Sequence, residues 1–319
     1  MKKKMIEERG YPSLIPWVKE FLERLQEAGY VLAVASSSPL SYIRNVTEHW
    51  GIDRYFQKLV SGETVKHPKP APDVFLKTAE ILGLSPEECL VIEDSENGCK
   101  AAKAAGMACM AYYNPDSGKQ DLSTAFALVE GFEEVDSAFV EKIYCHFHHL
   151  PAKVCETNRL LIREMEKGDI PRMMEICSQE TSADACEGVA KPLKEELEDF
   201  EMYRRYMYEL CDMGYWCILE KASGEIIGRA GVEPKLWNDN KTGVELGYMI
   251  DEKFRRRGFA YEACRAIVEE VKKRGAFYLY CRIKSANMPS LELARKLGFQ
   301  KIDYQLEGDS EDMEVWRCA

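Results

Sequence analysis

No apolar run in these 319 residues approaches the ~18 that a membrane-crossing helix needs. Lys2–Lys4 is not followed by an apolar h-region, so no secretory signal is expected there. The 12 cysteines form no C-x-x-C pair and no zinc-like spacing. That distribution points to reduced, mostly buried thiols in a cytoplasmic protein rather than to a disulfide framework. Histidine is scarce, and three of the 5 fall within 146–149, beside Cys145. No second ligand cluster accompanies them, so a metal centre is not expected at that tract. Basic side chains are outnumbered 43 to 54, a net charge of −11 spread over both halves. This argues against nucleic acid as a general partner, and nothing suggests a membrane partner. No internal repeat or low-complexity segment is present.

Against that acidity, Arg255, Arg256 and Arg257 stand out. They lie in V-E-L-G-Y-M-I-D-E-K-F-R-R-R-G-F-A, where an apolar strand over 243–250 enters a short basic turn. The turn opens into an amphipathic helix over 258–274, with Ala260, Ala263, Ile267, Val268 and Val271 as its buried stripe. Such a layout suits a pyrophosphate. The first N–H groups of a helix are unpaired, its dipole places partial positive charge there, and Gly258 permits close approach of the backbone. Upstream, a strand over 159–165, helices near 169–179 and 191–212, and a hairpin around Ser223-Gly224 are expected. Downstream come a strand over 277–283, a helix over 288–297 and two final strands. The acidic run Glu195–Glu201 reads as a solvated helix face.

The first half alternates helix and strand. Val18, Phe21, Leu22 and Leu25 form a helical stripe ending at Gly29, Val31–Ala35 reads as a buried strand, and Ser38-Pro39 reads as the start of the next helix. A further helix after Pro70, strands over 89–92 and 107–112 and a helix over 96–105 imply a parallel sheet with covering helices. The ends of its strands are then the expected ligand edge. Ser36, Lys69, Glu93 and Asp94 sit at that edge.

Two family resemblances follow from these motifs. Arg255-x-x-Gly258-x-Ala260 resembles the acyl-CoA signature of the GNAT N-acetyltransferases. Glu245-Leu-Gly-Tyr-Met-Ile precedes it, and Asn287-x-x-Ser290 through Leu297-Gly-Phe299 follows. The segment 156–165 resembles the first strand of the subgroup typified by ribosomal-protein alanine acetyltransferases. The resemblance implies acetyl-CoA held by Met249, Ile250, Asp251, Arg255, Arg256, Arg257, Gly258, Phe259, Ala260, Asn287 and Ser290. It also implies splayed central strands and direct attack by a small-molecule or peptide amine. A protonated amine is no nucleophile, so a base must take its proton; Glu245 is the first candidate and Glu233 the second. Asn287 reads equally as a helix cap. Many members carry a tyrosine acid at the position of Ala294, while Tyr248 and Tyr261 read as packing residues.

The first half resembles the haloacid dehalogenase (HAD) superfamily, in its β-phosphoglucomutase-like branch. That resemblance implies that Ser36 and Lys69 hold a phosphoryl group, while Glu93 and Asp94 serve a Mg²⁺ site. The family's D-x-D-G-T nucleophile strand and helical cap have no counterpart before Ser36, since the first aspartate is Asp53. The missing strand is central to the family's sheet, so two inner strands are expected to keep unpaired edges.

The expected architecture is α/β. A truncated HAD-like Rossmannoid parallel sheet (1–140) and a linker (141–155) precede a GNAT α+β acyl-CoA-binding fold (156–319). The leading expectation is an N-acetyltransferase fused to an incomplete HAD-like domain. A HAD phosphohydrolase or sugar-phosphate mutase lacking its N-terminus, and a non-catalytic acyl-CoA or phosphometabolite sensor, stay open. Residues 1–140 are expected to be catalytically incompetent, so the 319-residue chain should not steadily hydrolyse small phosphate esters. Turnover of such esters that disappears in Asp94→Asn would overturn this.

Overall fold

The structure, a computed structural model, describes residues 11–179, 191–236, 242–275, 278–304 and 310–318. Lys2–Lys4 and the expected strand start at Phe277 lie outside them. The chain divides into two compact units, Met1–Leu150 and Pro151–Ala319. No described helix is long and apolar enough to cross a membrane.

The N-terminal unit alternates as its pattern demands. Helix α1 (Val18–Glu27) buries Phe21, Leu22 and Leu25 and precedes strand β1 (Leu32–Ser36). Helix α2 (Leu40–His49) starts one residue later than expected. Pro39 takes the cap position with an extended ψ of 144, and the Ser38 carbonyl instead accepts from Ser61 Oγ at 2.7 Å. Next come β2 (Phe56–Ser61), α3 (Asp73–Leu82) and β3 (Leu90–Glu93). Helix α4 (Glu96–Ala104) follows, its Ser95 cap accepting from the Gly98 N–H. The unit ends with β4 (Ala108–Tyr112), β5 (Ala127–Val129) and α5 (Ser137–Phe147).

All pairings are parallel, but they form two sheets: β1–β2, and β3–β4–β5. Among the described residues, no strand pairs with the second edge of β1 or of β3. The stretch 141–155, expected to be a linker, is helical in its first part. Helix α5 runs through it to Phe147, capped by Asp136 and burying Val140, Ile143 and His146. The histidines masked that helical spacing in the sequence.

The C-terminal unit begins with β6 (Lys153–Glu156), β7 (Leu160–Arg163), α6 (Ile170–Ser178) and α7 (Leu193–Tyr203). Helix α7 runs on into a π-helical stretch, Arg204–Leu210. Strands β8 (Gly214–Glu220), β9 (Ile226–Leu236) and β10 (Thr242–Ile250) then lead to α8 (Phe259–Lys273). The last elements are β11 (Leu279–Lys284), α9 (Met288–Lys296), β12 (Gln300–Ile302) and β13 (Met313–Cys318). They make an eight-stranded sheet in the order β12-β13-β11-β10-β9-β8-β7-β6, antiparallel except at β10–β11.

Trp216, Ile218, Ile227, Ile267 and Leu279 are almost fully buried in this unit's core. Each contributes roughly 1.5–3 kcal/mol through the apolar surface it removes from water. Helix α8 packs through Ala263, Ile267, Val268 and Val271, as its stripe predicts.

Gly231 marks the closest approach within the sheet: a Cβ there would stand 1.9 Å from the Gly214 carbonyl oxygen. Because backbone cannot yield as a side chain can, Gly231→Ala should cost about 3 kcal/mol in denaturant unfolding of the full chain. Gly168, with nothing within 4 Å of such an atom, serves as the control, and its change to Ala should stay within about 0.5 kcal/mol. Equal midpoints for the two variants would contradict the close β8–β9 approach.

Candidate functional site

The site in the C-terminal unit starts from a pairing that stops early. Strand β10 pairs with β9 over its whole length, from Thr242↔Leu236 to Ile250↔Gly228. Among the described residues, its parallel partner β11 pairs with it only at Val244↔Leu279 and Glu245↔Tyr280, then continues along β13 instead. The two strands diverge into a V. The Val244 N–H donates to the Tyr278 carbonyl on the β11 side, and the Asp251 N–H donates to the Ile227 carbonyl on the β9 side. Alternation along a strand therefore turns the peptide groups of Leu246, Tyr248 and Ile250 toward the V.

At the end of β10 the turn is fixed by Asp251, whose side chain is fully buried. Its carboxylate accepts from the Lys253 N–H at 3.0 Å and pairs with Arg172 of α6. Burial pushes this carboxyl up most strongly, but the Lys253 N–H and the Arg172 guanidinium together hold it below its usual value. Arg255 follows, its Nε donating to the Ile250 carbonyl at 2.8 Å. Arg256 adopts a left-handed φ of 59, and Gly258, at φ 82, caps α8. Residues Arg255 to Gly258 are exposed, whereas Phe259 is buried and Ala260 half-buried.

Arg257 stands 3.5 Å from Glu220 and lies over the Phe254 and Phe259 rings. A fourth arginine joins this turn, and the sequence did not announce it. Arg159 donates from Nη1 to the Arg257 carbonyl at 3.2 Å and from Nε to Glu262 at 2.7 Å. Its guanidinium lies 4.4 Å over the Phe259 ring. No spacing rule links positions about a hundred residues apart, so only the fold brings it in. The result is a helix N-terminus preceded by a turn of three arginines, with the Arg159 and Arg257 guanidinium groups lying over Phe259, which suits a di-anionic phosphate chain.

The two candidate bases share one sheet face, paired directly across β10 and β9 as Glu245↔Glu233. Glu245 accepts from Arg282 Nε at 2.7 Å on one oxygen and from Lys235 Nζ at 3.0 Å on the other. Glu233 accepts from the Tyr203 hydroxyl at 3.0 Å, and that hydroxyl accepts from the Tyr215 N–H at 2.7 Å. Burial, then the Glu233 charge, raises the Tyr203 phenol far above its ordinary range. The same two causes push the Tyr215 phenol up to about 12. The Tyr215 ring covers Gly247, where a Cβ would meet its hydroxyl at 2.3 Å.

Of the remaining predicted residues, Met249 and Ile250 are buried as strand neighbours of the V. Asn287 caps α9, its side chain accepting from the Ser290 N–H at 3.3 Å. The Ser290 side chain meets the Tyr248 hydroxyl at 2.8 Å, and Ala294 is buried. Tyr261 stands on α8, with Arg265 6.0 Å from its ring.

In the N-terminal unit two of the four predicted residues, Lys69 and Glu93, pair directly, while Ser36 and Asp94 stand at the strand ends beside them with other partners. Lys69 Nζ donates to the Ala35 carbonyl at the end of β1 at 3.1 Å, and pairs with Glu93 at the end of β3. Its ammonium also lies 4.4 Å over the Phe75 ring. Glu93 further accepts from Ser95 Oγ at 2.8 Å, while Asp94 accepts from Asn114 and Ser117 at 2.8 and 2.9 Å. Ser36 Oγ accepts from the Ser38 N–H at 3.2 Å. A hollow of about 360 Å³ lined by Tyr113, Phe126 and Leu128 contains none of these residues.

Mg²⁺ needs several oxygen ligands in near-octahedral array. Here Glu93 is committed to Lys69, and no group of three or more His, Cys, Asp or Glu gathers among the described residues. The donors present do not fit a resident Mg²⁺. In the tract 145–149, His146 is buried in the α5 core.

Comparison with known proteins agrees with both halves. The family model for haloacid dehalogenase-like hydrolases matches residues 1–112, and that for the acetyltransferase (GNAT) domain matches residues 159–300. Fructose-1-phosphate phosphatase of Escherichia coli (strain K12) is 42% identical over 76 residues, 24% of this chain and 40% of that protein. The chain thus spans less than half the length of that curated relative. An acetyltransferase from Agrobacterium tumefaciens str. C58 is 20% identical with a TM-score of 0.43, covering 52% of this chain and 93% of its own. A ribosomal-protein-alanine N-acetyltransferase from Brucella melitensis is 22% identical with a TM-score of 0.40, covering 50% and 98%. The chain joins a HAD-like part to a GNAT acetyltransferase part.

The buried Asp251 carboxylate yields a pH test. An unfolded aspartate titrates near 3.9, and the folded one is held lower, so its contribution is complete above about pH 5 and is lost as pH falls through the folded value. Asp251→Asn should therefore unfold in less urea than the parent at pH 7. The gap should narrow steadily below about pH 4; a gap that stays constant down to pH 2.5 would contradict the depressed carboxyl.

Proposed function

We propose that the C-terminal unit is an acetyl-CoA-dependent N-acetyltransferase that moves an acetyl group to a primary amine of a small molecule or peptide. The observation that carries this reading is the diverging β10–β11 pair leading into the arginine-rich start of α8. Phosphates of the donor would lie against the Arg255–Gly258 turn and the first N–H groups of α8. Its thiol arm would enter the V beside Asn287 and Ser290. A peptide N–H of β10 facing the V, at Tyr248 or Ile250, would donate to the acetyl oxygen as charge develops on it.

Acetyl-CoA brings a thioester; the protein must orient the amine and take its proton. The facing carboxylates Glu245 and Glu233 do this, directly or through water. Glu245 has to keep Arg282 and Lys235 in place while it acts, so it also fixes the charge pattern of that face. A cytoplasmic setting fits the thiols and the cofactor.

The N-terminal unit supports a second reading, as a phosphate-ester enzyme. Lys69 joins the Ala35 carbonyl, next to Ser36 at the end of β1, to Glu93, next to Asp94 at the end of β3, and the 42% identity falls on a phosphatase.

The test of the first reading is thermal unfolding with and without acetyl-CoA, alongside a folded Arg255→Glu/Gly258→Asp variant. Ligand at ~100 times its Kd should add about 2.7 kcal/mol, or several degrees, to the parent alone. No shift in the parent with ligand in excess would overturn it. Given binding, CoA release with a panel of amines should fall by ~100-fold or more in Glu233→Gln or in Glu245→Gln, whichever is the base.

A further inference from the structure

We infer that Tyr248, steadied by Ser290, is the group that protonates the departing thiolate; the inference rests on the acetyltransferase reading above. Aminolysis of a thioester forms a C–N bond and breaks the C–S bond. The sulfur leaves with the bonding electron pair, and the amine nitrogen sheds one proton. The carboxylate face of β10 answers for that proton. Something on the other face must answer for the sulfur.

Strand alternation decides which side chains are there. Glu245, Gly247 and Met249 share one face of β10, so Val244, Leu246, Tyr248 and Ile250 share the other. Three of those four are hydrocarbon, and position 294 of α9 carries only the methyl group of Ala294. Tyr248 lies three residues beyond the last β10–β11 pair, on the stretch whose peptide groups face the V. Its hydroxyl meets Ser290 Oγ, in the first turn of the helix that follows β11, at 2.8 Å. The phenol is thus held between its own strand and the first turn of the helix that follows β11. Tyr261 stands on α8 and has no such bridge.

The chemistry matches that placement. A phenol titrates near ~10 and a thiol near ~8.5, close enough for the hydroxyl to hydrogen-bond the sulfur and pass it a proton as charge builds. The Ser290 hydroxyl then donates to the phenolate oxygen, and solvent returns the proton. The amine proton leaves through the carboxylates on the opposite face. Acid and base therefore work on opposite sides of one strand, with no relay between them.

The experiment uses the full chain, acetyl-CoA, and two probe amines, an alanine-initiated peptide and spermidine, each corrected for CoA released without protein. CoA release is followed from pH 6 to 10.5. Tyr248→Phe should lower kcat at least about tenfold, leave acetyl-CoA binding by calorimetry within about twofold, and abolish the alkaline fall in rate. Ser290→Ala should lower kcat less, with the alkaline limb kept. Fluorotyrosine at position 248 preserves shape while acidifying the phenol, and should move that limb to lower pH. Unchanged kcat in Tyr248→Phe with binding intact, or a limb that fluorotyrosine does not move, overturns the assignment. A parent that neither binds acetyl-CoA nor releases CoA with either of the amines overturns the acetyltransferase reading beneath it, which separates the two failures.

Discussion

The C-terminal unit depends on a competition between two partners for one strand. Strand β11 can follow β10 or β13, and it stays with β13 from Leu279 to Lys284 while leaving β10 after two residue pairs. Strand β10 is kept straight by nine paired positions with β9. Sheet twist then separates β10 from β11 without breaking either neighbouring ladder. The slot between them is lined by peptide groups that cannot satisfy each other. The same strand end carries the buried Asp251–Arg172 pair, which commits the chain to the turn and aims the start of α8. Divergence and turn are thus two results of how one strand is held.

The N-terminal unit solves a different problem. Its parallel strands form two separate sheets among the described residues, and Lys69 spans from one to the other. One side chain supplies there a carbonyl contact to β1, an ion pair to β3 and a cation–π contact to Phe75. Both Lys69 and Glu93 are nearly buried, so separating them would leave uncompensated charge in a poorly solvated place. The group that the sequence assigns to a phosphate is thereby also the seam of the unit. Any anion bound at Ser36 would have to share Lys69 with Glu93.

Much of this was legible in the sequence because period and punctuation were strong. The stripe of α8, the basic turn ahead of it, and the parallel alternation of the first half are all local signals, readable over a dozen residues. Asn287 as a helix cap was equally local. What could not be read was side-chain choice among distant partners. Arg159 reaches the α8 turn only because β7 and α8 are brought together, and Lys235 and Arg282 converge on Glu245 from neighbouring strands. The start of α2 was misread because Pro39 can sit at a cap as well as inside a first turn. The helix within 141–155 was hard to see because one of its buried positions, beside Ile143, is a histidine, His146.

Arg256 carries a consequence of its own. An L-residue held at a left-handed φ of 59 costs folding about 1 kcal/mol, and glycine would avoid that cost. Its side chain is exposed and does nothing for the packing of the unit. Folding alone would favour its loss, so the fold is the wrong place to look for what keeps it. Under the acetyltransferase reading proposed above, what would offset that cost comes from outside the fold, as negative charge arriving at the head of α8.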